Sequence, residues 1–580
     1  MTGSRILTGC VLSIAIAASA VSLESRAPRP FRIEVTVPAT LEPRPLDGRV
    51  ILVLSRRATP EPRMARMTGL DAQPMFGVDV DGLKPGQPAI IDASTRGWPV
   101  ESLRDIPAGE YFAQATFNVY TTVTRADGHT IKVHLDQGEG QDYRRSPGNL
   151  VTSVEKVRID PLKGGVVKIA FAKKNPPIEP PKDTKYVKYL KFRSDILSRW
   201  WGTDIYLGAI ALLPEGWAEH PNARYPVIYN HGHFPRGFYG FREPGATPPA
   251  PGAPGQASPP GQPAPGPPQR SPAGDTRFYE DWVSGKMGRV IIVQIQHPTP
   301  FYDDSYAVNS ANNGPYGDAL WQELVPRVEK AFRGIPEPWA RMTYGGSTGG
   351  WESLAWQIFY PDRLNGVWSF CPDPVDFSSF QAIDIYTDDN AFYPNSEWKK
   401  TPVRPWNRGL DDQTFLSQFD ANRYEEVLGT RGRSGEQMDI FMAVFGPAGP
   451  DGYPKLLYDK WTGVIDRSVA EYWREHYDLR HIVERDWKSL GPKLAGKLHV
   501  FAGDQDTYLL EEAAFKLQRF LESTTDPPYG GTFDIGKRQP HCYSGTPEYP
   551  GQRPEQRYIP KMIERMLMTA PAGADLSWRY

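Results

Sequence analysis

Two rhythms of apolar residues divide the chain. Between residues 28 and 165 the apolar runs are short and rich in β-branched or aromatic residues: "FRIEVTV", "GRVILVLS", "MFGVDVDG" and "EYFAQATFNVYTTV". Turns such as "LKPGQP", "IPAGEY" and "RADGHT" separate several of them, and no amphipathic helix intervenes. Strands without helices between them must pair with one another and bury a shared face. The pattern predicts an all-β, sandwich-like N-terminal domain over residues 28–165, of immunoglobulin-like type. The prolines of "KKNPPIEPPKDT" then predict an extended linker, and residues 166–185 are assigned to it.

From Tyr186 the rhythm changes to strands alternating with helices, which predicts a mainly parallel sheet with helices on both faces. "DIYLGAIALLP", "YPVIYNHGH", "GRVIIVQIQHP", "WARMTY", "GVWSFCP", "KLHVFAGDQD" and "GTFDIG" read as strands. In "YGDALWQELVPRVEKAF" the residues Leu320, Leu324, Val328 and Phe332 recur every four positions and mark one face of a helix. "ESLAWQIFY", "LLEEAAFKLQRFLES" and "YIPKMIERMLMTA" are helical as well. This α/β domain is expected over residues 186–570.

Two segments interrupt the alternation. Pro244 to Gly274 holds twelve prolines and six glycines in 31 residues, a composition that builds neither helix nor packed strand, and it is expected to be disordered. Residues 375–490 are too long and too aromatic for a loop, with Trp398, Trp406, Trp461, Trp473 and Trp487 among them. They are expected to form a cap over the C-terminal edge of the sheet. Its tryptophans serve either as core or as walls of a sugar or aryl-ester pocket.

A length of 580 residues exceeds what one core supports, in keeping with several domains. The formal net charge of −2 leaves no basic footprint for nucleic acid. At the N-terminus Arg5 precedes an apolar run from Ile6 to Ala17, and Ala18-Ser19-Ala20 fits a small-x-small cleavage pattern. Residues 1–20 therefore read as an export signal cleaved after Ala20, which directs the chain to the periplasm or the exterior. The run is shorter than the roughly 20 residues of a membrane span. Cys10 precedes the apolar run rather than following it, unlike a lipoprotein cleavage site. Once the signal is removed, Cys371 and Cys542 remain, either as one disulfide or as two free thiols. No CxxC or His/Cys cluster in the sequence suggests zinc.

The chemistry concentrates in "TYGGSTGGWESLAW", where Gly345, Gly346, Ser347, Thr348 and Gly349 spell G-x-S-x-G between a strand and a helix. A serine hydroxyl becomes a nucleophile when a tight turn exposes it and a base removes its proton. The helix that follows points free N–H groups at developing negative charge. Of the ten histidines, His541 in "KRQPHCYSG" follows the last strand, so its loop ends at the same sheet edge as the serine turn. His231, His233, His297, His476, His481 and His499 fall in other loops, in the cap or on strands. For the acid that orients the base, Asp506 comes where the strand "HVFAG" opens into a loop, and Asp504 is better placed to cap the turn. The oxyanion donors expected are the N–H of Thr348 and that of His233 or Phe234 in "HGHF".

These segments resemble the α/β-hydrolase superfamily, specifically the putative-esterase group that includes esterase D and the enterochelin esterases. The resemblance runs from about Tyr186 to Ala570 through "YPVIYNHGH", "YGDALWQELVPRVEKAF", "TYGGSTGGWESLAWQIFYPDRLNGVWSFCP" and "VFAGDQDTYLL". An N-terminal β domain before the hydrolase also resembles enterochelin esterases. The resemblance implies a Ser347/Asp506/His541 triad that hydrolyses a carboxylic ester, small or polymer-linked, with neither a metal nor an organic cofactor. The insert after the oxyanion loop and the long cap depart from compact members and bear on substrate, not on the triad. Two other readings stay open: a prolyl-oligopeptidase-like peptidase, although no blade repeat is visible, and a non-catalytic exported binding protein.

Overall fold

The computed structural model describes residues 30–65, 67–238, 240–244 and 276–580. The predicted export signal and nearly all of the Pro/Gly-rich insert lie outside these residues. Among the described residues no helix is long and apolar enough to cross a membrane.

The N-terminal strands belong to one hydrogen-bonded array in which Arg32–Thr36 lies between Pro88–Asp92 and Val166–Lys174. The long strands Leu46–Ser55 and Gly109–Thr124 pair antiparallel, Val50 opposite Phe117. Alternate residues from both groups, including Ile33, Val35, Leu52, Leu54, Ala115 and Phe117, meet in one buried cluster. Residues 166–174, placed in the linker by the sequence, are a strand here. Val166 to Ala170 pair with Arg32–Thr36, and from Phe171 the same strand pairs with Leu150–Thr152. Only Ile169 and Phe171 of that strand are buried, so its lysines hide the alternation from a hydropathy reading.

The run "RVILVLS" is apolar at consecutive positions because both of its faces are covered. Val50, Leu52 and Leu54 enter the N-terminal cluster, whereas Ile51 and Val53 join the main core of the molecule. Neighbouring Arg49 donates to the carbonyls of Glu426 and Val427 at the C-terminal end of the helix Gln418–Leu428. A cation there satisfies acceptors that the helix leaves open and complements its dipole.

The second sheet has eight strands: β1 (Val187–Arg193), β2 (Tyr206–Leu212), β3 (Val227–His231), β4 (Ile291–Gln296), β5 (Arg341–Gly346), β6 (Val367–Phe370), β7 (Leu498–Gly503) and β8 (Thr532–Gly536), in the order β1-β2-β4-β3-β5-β6-β7-β8. Only β2 runs against the rest. Chain order departs from spatial order at β3, which has β4 on one side and β5 on the other, and ligand sites of open α/β sheets gather at such points. The helices used below are α1 (Thr348–Phe359), α2 (Gln418–Leu428), α3 (Gln437–Phe445), α4 (Arg467–Tyr477), α5 (Leu479–Leu494), α6 (Glu511–Ser523) and α7 (Pro554–Thr569).

The segment before β5 winds as Tyr316–Ala319, Leu320–Leu324 and Val325–Phe332 without a break, the middle part as a wider π-turn. Pro326 has no N–H to return to the preceding turn, which favours such a local rewinding. Leu320, Leu324, Val328 and Phe332 are all buried, as their spacing requires.

Residues 375–490 contain α2, α3 and α4 and part of α5. An aromatic cluster anchors α3 and α4: Phe445 of α3 packs on Trp351 of α1 at 5.0 Å and on Trp473 of α4 at 5.2 Å. Helix α5 lies against α1 and leads directly into β7. It is thus the crossover helix that two adjacent parallel strands, β6 and β7, require, rather than part of a lid.

Candidate active site

Ser347 sits between β5 and α1 with φ 60° and ψ −124°, a conformation a non-glycine residue adopts only when its surroundings enforce it. The enforcement is visible in two glycines. A Cβ on Gly345 would lie 2.3 Å from the Gly349 carbonyl oxygen, and one on Gly349 would lie 2.1 Å from that of His231. Gly346, singled out with them from the sequence, differs, because a Cβ there meets nothing closer than 3.8 Å. Gly349→Ala is therefore expected to push α1 off β3 and lose at least about a hundredfold in turnover, the cost of a misplacement near 1 Å. Gly346→Ala is expected to stay within about threefold of wild type, since nothing has to move. Steady-state kinetics on both purified variants check this pair.

The structure brings Ser347, His541 and Asp506 together. His541 Nε2 lies 2.8 Å from Ser347 Oγ, and His541 Nδ1 lies 2.7 Å from Asp506 Oδ2. Asp506 is buried after β7, and its Oδ1 accepts the N–H of Tyr508 at 2.8 Å, which fixes the carboxylate plane. The Tyr508 ring meets the imidazole edge-on at 4.8 Å. Asp504 faces elsewhere and accepts the N–H of Arg538 in the turn after β8. Burial alone would lower the pKa of His541, but the Asp506 carboxylate and the Cys542 sulfur outweigh it and hold the imidazole well above its ordinary value.

The N–H of Thr348 heads α1, where no intrahelical acceptor exists. Among the described residues, no backbone hydrogen bond occupies the amides of Thr348, His233 or Phe234. The loop after β3 is braced from two sides. His233 Nδ1 lies 3.1 Å from Asp304 and 3.4 Å from Asp303, and the Phe234 ring fills the space beside Gly140 of the N-terminal region. Burial opposes a charge on His233, yet the two aspartates raise its pKa well above the usual histidine range.

One acidic residue beside Ser347 escaped sequence reasoning. Asp373, just after β6, has Oδ1 3.4 Å from Ser347 Oγ, and its Oδ2 accepts Tyr306 Oη–H at 2.5 Å and Thr348 Oγ1–H at 3.0 Å. Burial raises its pKa above the ordinary carboxylate value. Gln437 of α3 donates to the same Tyr306 hydroxyl, which ties α3 to the serine turn. The available signal was an aspartate at the end of a strand in "FCPDP", the same kind of address that pointed to Asp506.

A cleft opens over Ser347, walled by Trp406, Phe441 and Tyr508 with Glu425, Glu436, Gln437 and Asp373 as polar groups. Of the five cap tryptophans, Trp406 lines this cleft. Trp473 and Trp487 are buried, Trp398 is 85% exposed, and Trp461 stacks under Arg96 and Arg423.

Three groups of residues among those described bring three metal-ligating atoms within 4.8 Å of one another: Cys371/His541/Cys542, His231/His297/Glu352 and His233/Asp303/Asp304. In the second, the N–H of Ser305 donates to His297 Nδ1 at 3.0 Å, so Nε2 carries the proton and has no lone pair for a metal. Burial lowers His297 to about 3, lowers His231 well below its usual value and raises Glu352 well above its own, which disfavours the charged form of each.

No protein-family profile and no curated protein sequence matches this chain. Solved structures do. A ferulic acid esterase is similar over 66% of this chain and 99% of its own, at 15% identity and a TM-score of 0.35. FphF, a fluorophosphonate-binding serine hydrolase of Staphylococcus aureus, covers 65% of this chain and 99% of its own, at 12% identity and a TM-score of 0.30. An S-formylglutathione hydrolase from Agrobacterium tumefaciens covers 67% and 97%, at 11% identity and a TM-score of 0.32. All carry esterase or serine-hydrolase names, and at these values the names do not transfer to this chain.

Proposed function

We propose that this chain is an exported serine hydrolase that cleaves a carboxylic ester through an acyl-enzyme on Ser347. The observation that carries the reading is the continuous relay from Ser347 Oγ through both nitrogens of His541 to the buried Asp506. In this mechanism His541 Nε2 takes the hydroxyl proton as Oγ attacks the acyl carbon, and Asp506 holds the imidazolium that forms. The N–H groups of Thr348 and of His233 or Phe234 receive the oxyanion. His541 returns the proton to the departing alcohol, and a water molecule repeats the sequence to release the acid.

The parts follow the same reading: an export signal over 1–20, a sandwich-like domain over 28–165 that braces the oxyanion loop, and a hydrolase domain over 186–570 with a cap drawn from 375–490. The substrate is a small or polymer-linked ester with a group next to the bond that carries no negative charge. The aromatic walls of the cleft and the lack of lysine or arginine among its described lining residues favour such a group.

A serine-directed fluorophosphonate should label wild type and leave Ser347→Ala unlabelled. Matched ester and amide substrates separate this reading from a peptidase, since efficient amide cleavage with negligible ester turnover would reject it. Absence of labelling in a folded protein that still binds ligand would leave a binding protein instead.

The raised pKa of His541 sets a pH dependence. The base must be neutral to work, so kcat/KM should fall on acidification with a midpoint above the ordinary histidine value of 6.5. Stability runs the other way. A folded-state pKa above the unfolded one stabilises the protein below about pH 6.5, and the contribution is lost as pH rises through the folded value. Activity and unfolding profiles over pH 5–9 should therefore move in opposite directions, and an activity midpoint below 6.5 contradicts the assignment.

A further inference from the structure

Neither cysteine is used by the hydrolytic reading, yet both adjoin its machinery. Cys371 ends β6, is buried, and donates its N–H to Phe501 O on β7 at 2.6 Å. Its sulfur lies 4.0 Å from the position of a Cβ on Gly346, the residue before the nucleophile. Cys542 follows the base directly in sequence and is exposed. The two sulfurs and a ring nitrogen of His541 lie within 4.8 Å of one another, and both thiols are free. A disulfide needs about 2.05 Å between sulfurs, so closure asks for less than about 3 Å of movement. The exposed Cys542 loop is the side free to move.

We propose that Cys371 and Cys542 are a redox modification site that closes into a disulfide by exchange with a disulfide-bearing reactant, pinning the His541 loop to the end of β6. In the first step the Cys542 thiolate attacks one sulfur of the donor. A mixed disulfide forms and the donor's other sulfur leaves as a thiolate. The Cys371 sulfur then attacks Cys542 Sγ, expels the second donor sulfur and completes the internal bond. Two protein thiols are oxidised, one donor disulfide is reduced to two thiols, and the two protein protons end on them. The site suits this order. The S–H of Cys371 and the neighbouring His541 hold the Cys542 thiol well below its usual pKa, and Cys542 is the exposed member of the pair, whereas Cys371 is buried. Cys371, whose thiol burial holds well above its usual value, is the resolving partner.

The bond closes a loop that contains the cap, α5, β7, Asp506 and β8. Its effect is to restrict how far the base can drift from Ser347.

The test equilibrates folded protein with an excess of oxidised glutathione, or with dithiothreitol, then alkylates and maps peptides by mass spectrometry. A cross-linked peptide pair containing Cys371 and Cys542 in the oxidised sample, absent after reduction, is the expected result. Both cysteines alkylated in both samples, or intermolecular dimers instead of the internal bond, would overturn the site. Hydrogen exchange over residues 537–545 tests the pinning. Protection should rise at least about fivefold on oxidation in wild type and not in Cys542→Ser, and equal exchange would overturn that part. Cys542→Ser changes an exposed residue and keeps the test usable should Cys371→Ser fail to fold. These readouts need no substrate, so they stand or fall apart from the proposed hydrolysis.

Discussion

Ser347→Ala is expected to lower kcat on an ester substrate by about a millionfold while the unfolding midpoint stays within a few degrees of wild type. The magnitude is that of losing a nucleophile whose base and oxyanion donors remain in place. The stability expectation rests on the site itself. Ser347 is half-buried, its hydroxyl faces the cleft, and its backbone bonds, including N–H to Phe370 O at 3.0 Å, do not involve the side chain. Alanine keeps a Cβ at the same strained φ, so the turn is no worse than before. Because nucleophile and base act as one unit, Ser347→Ala/His541→Ala should be no slower than Ser347→Ala alone. Additive losses in the double variant would mean that His541 works through some other group. Single-turnover assays with an activated ester measure both.

The second large effect is expected at Asp506. Asp506→Asn preserves shape and burial but places an amide where a carboxylate accepted the His541 Nδ1 proton at 2.7 Å. The amide nitrogen, presented to Nδ1, would favour the tautomer with the proton on Nε2, and that nitrogen then cannot take the serine proton. The expected loss is about ten-thousand-fold in kcat. The pH profile adds a second readout. With the Asp506 charge gone, only the Cys542 sulfur still opposes the effect of burial on the imidazole, so the acidic limb of any residual activity should shift downward. Asp373→Asn is the informative control. Asp373 lies as close to the serine turn, but its carboxyl binds Tyr306 and Thr348 rather than the imidazole, so that limb should stay near its wild-type position. A collapse at Asp373 equal to that at Asp506 would show that the acid had been assigned to the wrong strand end.

Much of this arrangement was legible in the sequence because it depends on local order. Continuous or alternating apolar runs set which residues become β3 to β8, and G-x-S-x-G between a strand and a helix already specifies a turn. Asp506 and His541 were legible for a related reason. In a parallel sheet every strand's C-terminal end lies at one edge, so residues that follow successive strands are brought to the same place.

What the sequence hid involves contacts between segments distant in the chain. The strand at 166–174 has too few buried residues to announce itself and exists because two partners on different sides take its two halves. The difference between Gly346 and Gly349 is invisible in a motif that spells both as glycine, since only the packing of α1 against His231 makes one of them indispensable. Asp373 gains its position from β6 lying beside β5, and Tyr306 reaches it from a further region, its hydroxyl in turn accepting from Gln437. By itself, then, the sequence determined the strand and helix types, the serine turn and the edge at which acid and base gather, because backbone geometry and hydrophobic period act over a few residues. Only the tertiary structure decided that Asp373 packs beside the serine turn, which glycines the turn cannot replace, and that two cysteines 171 positions apart lie beside the same histidine. Those distances are set by packing, which no single segment encodes.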